Sequence, residues 1–262
     1  MDYNILIYVI FGISPCLIWL FYYLRKDLHP EPKRMILNIF LWGALITIPV
    51  FFVQIGLTKI LGAIASSLGF INLDSLLGLS LSGLNPLTFV IVSAYWFLVI
   101  SFTEEIFKYL VVKIKVVGSS NLDEPLDIML CMVIAALGFA AVENILYLFT
   151  PIGQMSFEQL IHRTLLIALI RFVGAIFLHT LCSAVIGYSM AISFCEVKMK
   201  KISLIAGILL ATFLHGLYNF TIITLDGYAR FVAPGIIILI LAFLVFSGFD
   251  KLKKMRGICK IN

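Results

Sequence analysis

Long apolar runs separated by short polar connections dominate the sequence. Seven runs are long enough to cross the hydrocarbon core of a bilayer, which takes about 20 helical residues at about 1.5 Å per residue. They cover residues 4–24, 35–57, 88–113, 126–149, 165–194, 203–225 and 232–249. The apolar residues come in blocks, whereas the strands of a membrane barrel alternate apolar and polar residues over about 10 positions. The pattern therefore predicts an all-α, polytopic membrane helical bundle with about seven transmembrane helices.

The stretch 61–87 fits this pattern less clearly, because it is rich in Gly and Ser and ends beside Pro86. A single extra crossing there would invert the side of every later connection. We expect an extracytoplasmic loop with an interfacial or re-entrant segment. The alternative is a hairpin of short crossings, which would keep the later spans in the same orientation; if 61–87 forms part of such a hairpin, the bundle has an eighth membrane helix.

The composition excludes a soluble protein. Of the residues, 62% are hydrophobic and 13% are charged, whereas a soluble domain is about 45–50% apolar and about a quarter charged. We therefore expect residues 1–262 to form a single integral membrane domain whose surroundings are the lipid bilayer. The net charge of +5 does not indicate nucleic acid as a partner, since the basic residues lie beside the spans. Nothing in the sequence indicates an oligomeric state.

The distribution of basic residues predicts the orientation. Fourteen of the 19 Lys and Arg residues lie in the connections after the first, third and fifth spans and in the C-terminal tail, and three lie on the other side. Cytoplasmic loops carry the excess of Lys and Arg in membrane proteins. We expect a multi-pass protein of the cell membrane with an extracytoplasmic N-terminus and a basic cytoplasmic tail at 251–262.

Polar side chains that are costly in lipid lie inside four successive spans. An ionised residue at a helix centre costs about 2.5–3.5 kcal/mol on insertion scales. The side chains are those of Glu104, Glu105, Lys108, Glu143, Asn144, Arg171, His179, His215 and Asn219. Several share a helix face, as His215 and Asn219 do at one turn apart. We expect these side chains to face one another inside the bundle.

Glutamate and histidine in one buried cluster are suited to acid–base chemistry. A carboxylate whose proton affinity is raised by a second carboxylate can take a proton from water, and a His–Asn pair can donate hydrogen bonds to an oxyanion. Simpler roles exist for two of the cations: Lys108 can merely neutralise Glu104, and Arg171 can be a structural counter-ion.

Zinc is an alternative, because His and Glu are zinc ligands. The four candidate ligands, Glu105, Glu143, His179 and His215, come from four helices, and no His-Glu-x-x-His signature is present. We therefore expect no metal cofactor.

Four short motifs resemble a known family. The segments EEIFK at 104–108 and GFAAVEN at 138–144, then His179, then HGLYN at 215–219 are similar, in this order, to the motifs of PrsW-type glutamic intramembrane proteases. The CAAX prenyl endopeptidase (Abi) superfamily looks like a more distant relative. The resemblance covers residues 88–225, which we take as the catalytic-motif core.

The resemblance implies an endopeptidase that cleaves membrane-anchored protein or peptide substrates, with an anti-sigma factor at its first cleavage step as the typical substrate. It implies that Glu104 or Glu105 activates water with the help of a histidine, and that His215 and Asn219 hold the oxyanion. The superfamily has His where this chain has Glu143, so His179 takes that role. Asn144, Lys108 and Arg171 are expected to support the site.

Two other functions stay open on the sequence alone. A proton-coupled transporter or binding protein can also use buried Glu, His and Arg side chains, although we find neither the internal repeats nor the broken helices that transporters usually show. A non-catalytic member of the same superfamily is the other possibility, and the complete set of motifs argues against it.

Overall fold

The computed structural model describes residues 3–26, 31–70, 72–117, 122, 124–149, 156–195 and 200–255. In chain order the helices are α1 (Tyr3–Leu24), α2 (Lys33–Leu45), α3 (Thr47–Ser67), α4 (Leu73–Leu77), α5 (Pro86–Ala94), α6 (Thr103–Lys115), α7 (Pro125–Leu148), α8 (Phe157–Val173), α9 (Ala175–Cys195), α10 (Lys200–Thr224) and α11 (Ala229–Lys254). A 3₁₀ turn at Leu81–Gly83 precedes α5, and a π-helical segment, Tyr95–Phe102, joins α5 to α6. The regular structure of the described residues is helical throughout, which confirms the predicted all-α fold.

Seven helical stretches are long and apolar enough to cross a membrane, as the sequence predicts. They are Ile5–Leu24, Lys33–Ser67, Pro86–Lys115, Pro125–Leu148, Phe157–Phe194, Lys201–Thr224 and Ala229–Lys254. The second stretch extends beyond its predicted end at residue 57, and the fifth begins before its predicted start at residue 165.

The described part of 61–87 contains no further helix of spanning length. Its first residues complete α3, and α4 has only five residues. The Asn72 side chain accepts a hydrogen bond from the Ser75 amide at 2.7 Å and caps α4. Asn85 caps α5 in the same way, with Pro86 in the first helical position, where its missing N–H costs nothing. The Asn85 cap marks the end of this connection and the start of the third span.

Three of the seven spans contain a local break. The second is divided at Ile46 into α2 and α3, and the Thr47 hydroxyl donates to the Ala44 carbonyl there at 2.7 Å. The third contains the π-helical segment. The fifth breaks at Gly174, where a Cβ atom would collide with the Tyr218 hydroxyl. Each break interrupts the regular α-helix inside its span, and the last two adjoin the polar side chains described below.

Helix α7 is the centre of the bundle. It packs most closely against α9, α2 and α1, and nearly all of its residues are buried. Two glycines allow the close approach of α2 and α7: a Cβ on Gly43 would meet the Ala135 carbonyl, and a Cβ on Gly138 would meet the Phe40 carbonyl. Small residues at such crossings are typical of membrane helices. The helix that carries Glu143 is thus held on several sides.

The last helix includes the first part of the predicted tail. Helix α11 runs to Lys254, so the first residues of the tail at 251–262 are helical, and residues 256–262 lie outside the described part of the chain. The predicted orientation of the two termini stays a prediction.

Candidate active site

The third span brings two adjacent glutamates into the interior directly after a change in helix type. The π-helical segment Tyr95–Phe102 has a wider turn than an α-helix, and such segments often occur at functional sites. The Ser101 hydroxyl donates to the Trp96 carbonyl, five residues earlier, at 2.8 Å. Glu104 and Glu105 follow in the first turn of α6 with 5% and 0% of their surface exposed. Both carboxylates therefore lie inside the protein.

Glu105 is fully engaged by three neighbours. Lys108 Nζ donates to its Oε1 at 2.6 Å, and His215 Nδ1 lies 2.9 Å from the same oxygen. The Ser183 hydroxyl donates to Oε2 at 3.0 Å. Lys108, expected to neutralise Glu104, is closer to Glu105, since its distance to Glu104 Oε2 is 4.0 Å. Glu105 therefore anchors other side chains.

The neighbours of His179 determine its tautomer. Lys108 Nζ lies 3.1 Å from His179 Nδ1, and an ammonium group can only donate. Nδ1 therefore carries the lone pair and Nε2 carries the proton. Nε2 lies 2.8 Å from Glu143 Oε2, so it donates to that carboxylate.

The same reasoning fixes His215. Its Nδ1 faces Glu105 Oε1 at 2.9 Å, and an ionised carboxylate can only accept. Nδ1 is therefore the protonated nitrogen, and the lone pair is on Nε2. The two imidazoles lie edge to face with their ring centres 5.0 Å apart.

Glu104 faces both of these lone pairs. Its Oε2 lies 3.8 Å from His179 Nδ1 and 3.8 Å from His215 Nε2. This oxygen is buried and accepts no hydrogen bond from the described residues. The other oxygen, Oε1, accepts a hydrogen bond from Gln54 Nε2 at 3.3 Å. A buried acceptor without a donor is costly, so this geometry indicates that something further belongs beside Oε2.

Arg171 links Glu143 and Asn144. Its guanidinium donates to Glu143 Oε2 at 2.9 Å and to Asn144 Oδ1, and it stacks on Tyr147 at 3.9 Å. Asn144 in turn donates to the Gly12 carbonyl of α1 at 3.3 Å. Arg171 is thus the counter-ion of Glu143, and the dipeptide 143–144 ties α1, α7 and α8 together.

Eight of the nine predicted polar side chains form one connected cluster, whose members are Glu104, Glu105, Lys108, Glu143, Asn144, Arg171, His179 and His215. The ninth, Asn219, is half-buried one turn after His215 and forms no hydrogen bond with the described residues. Its amide is therefore available to another group.

Two further side chains contact the cluster and were not predicted as site residues. Gln54 is an isolated amide in the apolar run of α3, which is the signal that could have identified it. Ser183 lies one turn after His179 on α9, and this i, i+4 spacing places the two side chains on the same face.

The donor atoms fit a metal ion. Glu104, His179 and His215 each offer one ligand atom, and the three atoms lie within 4.8 Å of one another. A tetrahedral zinc with bonds of about 2.1 Å separates its ligand atoms by about 3.4 Å, so the three atoms would have to move closer together. Zinc would also have to replace Lys108 Nζ, which lies 3.1 Å from His179 Nδ1 and uses the single lone pair of that nitrogen. The ligand set suggested by the sequence was wrong for both carboxylates: Glu105 and Glu143 contact the far nitrogens of the two imidazoles, and the carboxylate between the lone pairs is Glu104.

Comparisons with known proteins agree with the motifs. No solved structure matches the chain. The protein named Protease PrsW from Oceanobacillus iheyensis is 28% identical over 228 residues, which cover 87% of this chain and 88% of the relative. The Protease PrsW protein of Geobacillus kaustophilus is 27% identical, and the alignment covers 94% of this chain and 91% of the relative. The Protease PrsW protein of Bacillus subtilis is 26% identical, and the alignment covers 94% of this chain and 94% of the relative.

The family match accounts for most of the chain. The profile described as PrsW family intramembrane metalloprotease matches residues 31–248, which include every member of the cluster. With its seven membrane-spanning stretches, the protein is a multi-pass membrane protease. The chain belongs to the PrsW family of intramembrane metalloproteases.

Proposed function

We propose that this protein is an intramembrane endopeptidase that hydrolyses membrane-anchored protein substrates with a divalent metal, Zn²⁺, held by Glu104, His179 and His215. One observation carries the proposal: Glu104 Oε2 lacks a hydrogen-bond donor among the described residues and faces two imidazole lone pairs at 3.8 Å. Two His and one Glu is a ligand set of catalytic zinc sites, which keep a fourth position for water or substrate.

The residues around the ligands orient them. When bound, the metal supplies Lewis-acid polarisation of the attacking water or of the scissile carbonyl. Glu105 holds the far nitrogen of His215, and Glu143 holds the far nitrogen of His179. Carboxylates in this position fix the tautomer and the ring orientation and make the imidazole a better ligand.

We assign the general base to Glu143, acting through one intervening water molecule, because its Oε2 lies beside the far nitrogen of His179 and not beside the nitrogen that would bind the metal. Its side chain is 24% exposed, and its Oε1 accepts no hydrogen bond from the described residues. Both oxygens of Glu105 are engaged and buried, and Glu104 serves as a ligand. Glu143 is thus the carboxylate of the cluster that a water molecule can reach. In this proposal Glu143 accepts the proton of the attacking water, a role that the resemblance gave to Glu104 or Glu105.

Asn219 is the oxyanion donor in this proposal. The resemblance paired it with His215, but a neutral His215 that donates from Nδ1 to Glu105 has no proton on Nε2. The Asn219 amide lies one turn away on the same face of α10 and has no partner among the described residues. Its N–H groups can therefore bind the developing negative charge of the carbonyl oxygen.

The substrate class follows from where the cluster lies. All its members belong to membrane-spanning stretches, so a scissile bond must reach them from within or beside the bilayer. We propose membrane-anchored regulators as substrates, with an anti-sigma factor at its first cleavage step as the specific candidate.

The test is cleavage combined with metal analysis. Purified protein in lipid vesicles is incubated with single-span substrates after stripping with a chelator and after adding Zn²⁺ back. We expect about one zinc per chain, lost and regained together with cleavage. The variant His162→Ala, which removes an imidazole that is 76% exposed, is the control for adventitious metal.

The other outcomes identify the alternatives. Full cleavage by zinc-free protein would support a metal-free mechanism in which Glu104 itself activates water. Absence of cleavage together with proton flux across the vesicle membrane would support a transporter.

A further inference from the structure

Helix α3 reaches the cluster through one side chain. Gln54 is half-buried, and its Nε2 donates to Glu104 Oε1 at 3.3 Å. Within the described residues, this is the only hydrogen bond or ion pair that links α3 to a helix other than the adjoining α2. Phe51 and Phe52, which precede it on the helix, are 54% and 66% exposed and face outward. Gln54 is therefore the polar contribution of α3 to this site.

The direction of this hydrogen bond is fixed by chemistry. An ionised carboxylate only accepts, so the amide of Gln54 must present its NH₂ group to Glu104. Because the two oxygens of a carboxylate are rigidly related, fixing Oε1 also fixes the position of Oε2. That second oxygen is the one that faces His179 and His215.

Glu104 has a competing partner. Lys108 Nζ lies 4.0 Å from Glu104 Oε2, on the same helix and fully buried. Without the hydrogen bond to Oε1, a rotation of the carboxylate would let Oε2 form an ion pair with Lys108, and a carboxylate paired in this way is a poorer ligand.

We propose that Gln54 is a positioning residue of the metal site: it holds Glu104 so that Oε2 faces the lone pairs of His179 and His215. The inference rests on the proposed function, because it assumes that these three residues hold a metal. It assigns to α3, which carries none of the family motifs recognised in the sequence, a direct influence on metal affinity.

Two variants and one control test the proposal. Gln54→Met and Gln54→Leu remove the N–H donor and suit an apolar helix. Thr58→Val alters a half-buried residue one turn further along α3 and is the matched control. For each purified, metal-stripped protein, the dissociation constant of Zn²⁺ is measured by competition with a chromophoric chelator, and kcat and KM are measured at limiting and at saturating Zn²⁺.

We expect both Gln54 variants to bind Zn²⁺ about 10–100-fold more weakly, as is typical when a residue that orients a ligand is lost. Saturating Zn²⁺ should restore much of their kcat, and KM should not change. Thr58→Val should behave like the parent protein.

Two results would contradict this inference, and a third would contradict the proposed function. Unchanged zinc affinity with a raised KM would make Gln54 a substrate contact, and unchanged affinity with unchanged kinetics would remove it from the site; either overturns the inference. If one variant does not fold, the other gives the result, since both replacements are compatible with a lipid-facing helix. Absence of zinc binding by the parent protein would refute the proposed function itself, before any variant is compared.

Discussion

His179 Nε2 and Glu143 Oε2 are joined at 2.8 Å, although the two residues belong to different membrane spans. Because Lys108 Nζ donates to the other ring nitrogen, this hydrogen bond must run from the imidazole to the carboxylate, and a metal bound at that nitrogen would take the place of Lys108. Glu143 thereby orients a proposed metal ligand with one oxygen, while its other oxygen stays accessible. The two functions can be separated experimentally.

Glu143→Gln should lower kcat at saturating Zn²⁺ by about 10²–10⁴-fold, the usual contribution of a general base. The amide keeps the size of the side chain and can still accept a hydrogen bond from His179, so the protein should keep most of its zinc affinity. Single-turnover cleavage and zinc titration on the same preparation check this. A kcat equal to that of the parent would mean that Glu143 only orients His179.

Glu104→Gln and His215→Ala should lose both the metal and the activity, because each removes one of three proposed ligands. Elemental analysis of protein purified in Zn²⁺-containing buffer is the measurement, with His162→Ala as the matched control for histidine loss. A Glu104→Gln protein that retains one zinc per chain but does not cleave would instead assign Glu104 to water activation.

The sequence was sufficient for the fold because each span is a continuous apolar run whose length matches the bilayer. It was also sufficient for most of the cluster, since ionisable residues inside such runs are too costly to face lipid. No broken helices were predicted from the sequence, and the structure corrects this with the breaks at Ile46 and Gly174 and the π-helical segment. An apolar run shows the length of a span but not a local break in its hydrogen bonding.

The different roles of Glu104 and Glu105 could not be predicted from the sequence. Glu104 and Glu105 are adjacent and both buried, and only the three-dimensional contacts show that Lys108, Ser183 and His215 surround Glu105 and leave Glu104 Oε2 without a donor. Gln54 was missed for a similar reason. It lies 50 positions away from its partner, on a helix that carries no other polar member of the site.

Lys108→Met should destabilise the protein strongly, because it leaves the fully buried Glu105 without its cation. Removal of one partner of a buried ion pair costs about 3–5 kcal/mol. The double variant Lys108→Met/Glu105→Gln should recover part of this loss, since the uncompensated charge is then gone. Unfolding in mixed micelles with increasing SDS compares the three proteins. A double variant less stable than Lys108→Met would show that the charge of Glu105 is balanced elsewhere.

Gly138→Ala should destabilise the protein by about 1–3 kcal/mol, the usual cost of an overpacked interior. A Cβ at this position meets the Phe40 carbonyl of α2, and a backbone atom cannot move aside without displacing its helix. The matched control is Gly56→Ala, because a Cβ at Gly56 meets nothing within 4 Å. The same SDS titration measures both variants, and equal midpoints would refute the close α2–α7 contact.

The orientation of the bundle can be tested independently of the site. Fourteen of the 19 Lys and Arg residues lie on the side of the C-terminus and three lie on the other, and basic residues accumulate on the cytoplasmic side. A reporter that works only in the cytoplasm should therefore be active when fused after Asn262, and one that works only outside should be active in the connection 68–85. Because the seven spans alternate in direction, activity of the external reporter at Asn262 would invert every connection, and the cluster would then lie with Glu143 nearer the cytoplasm than Lys108.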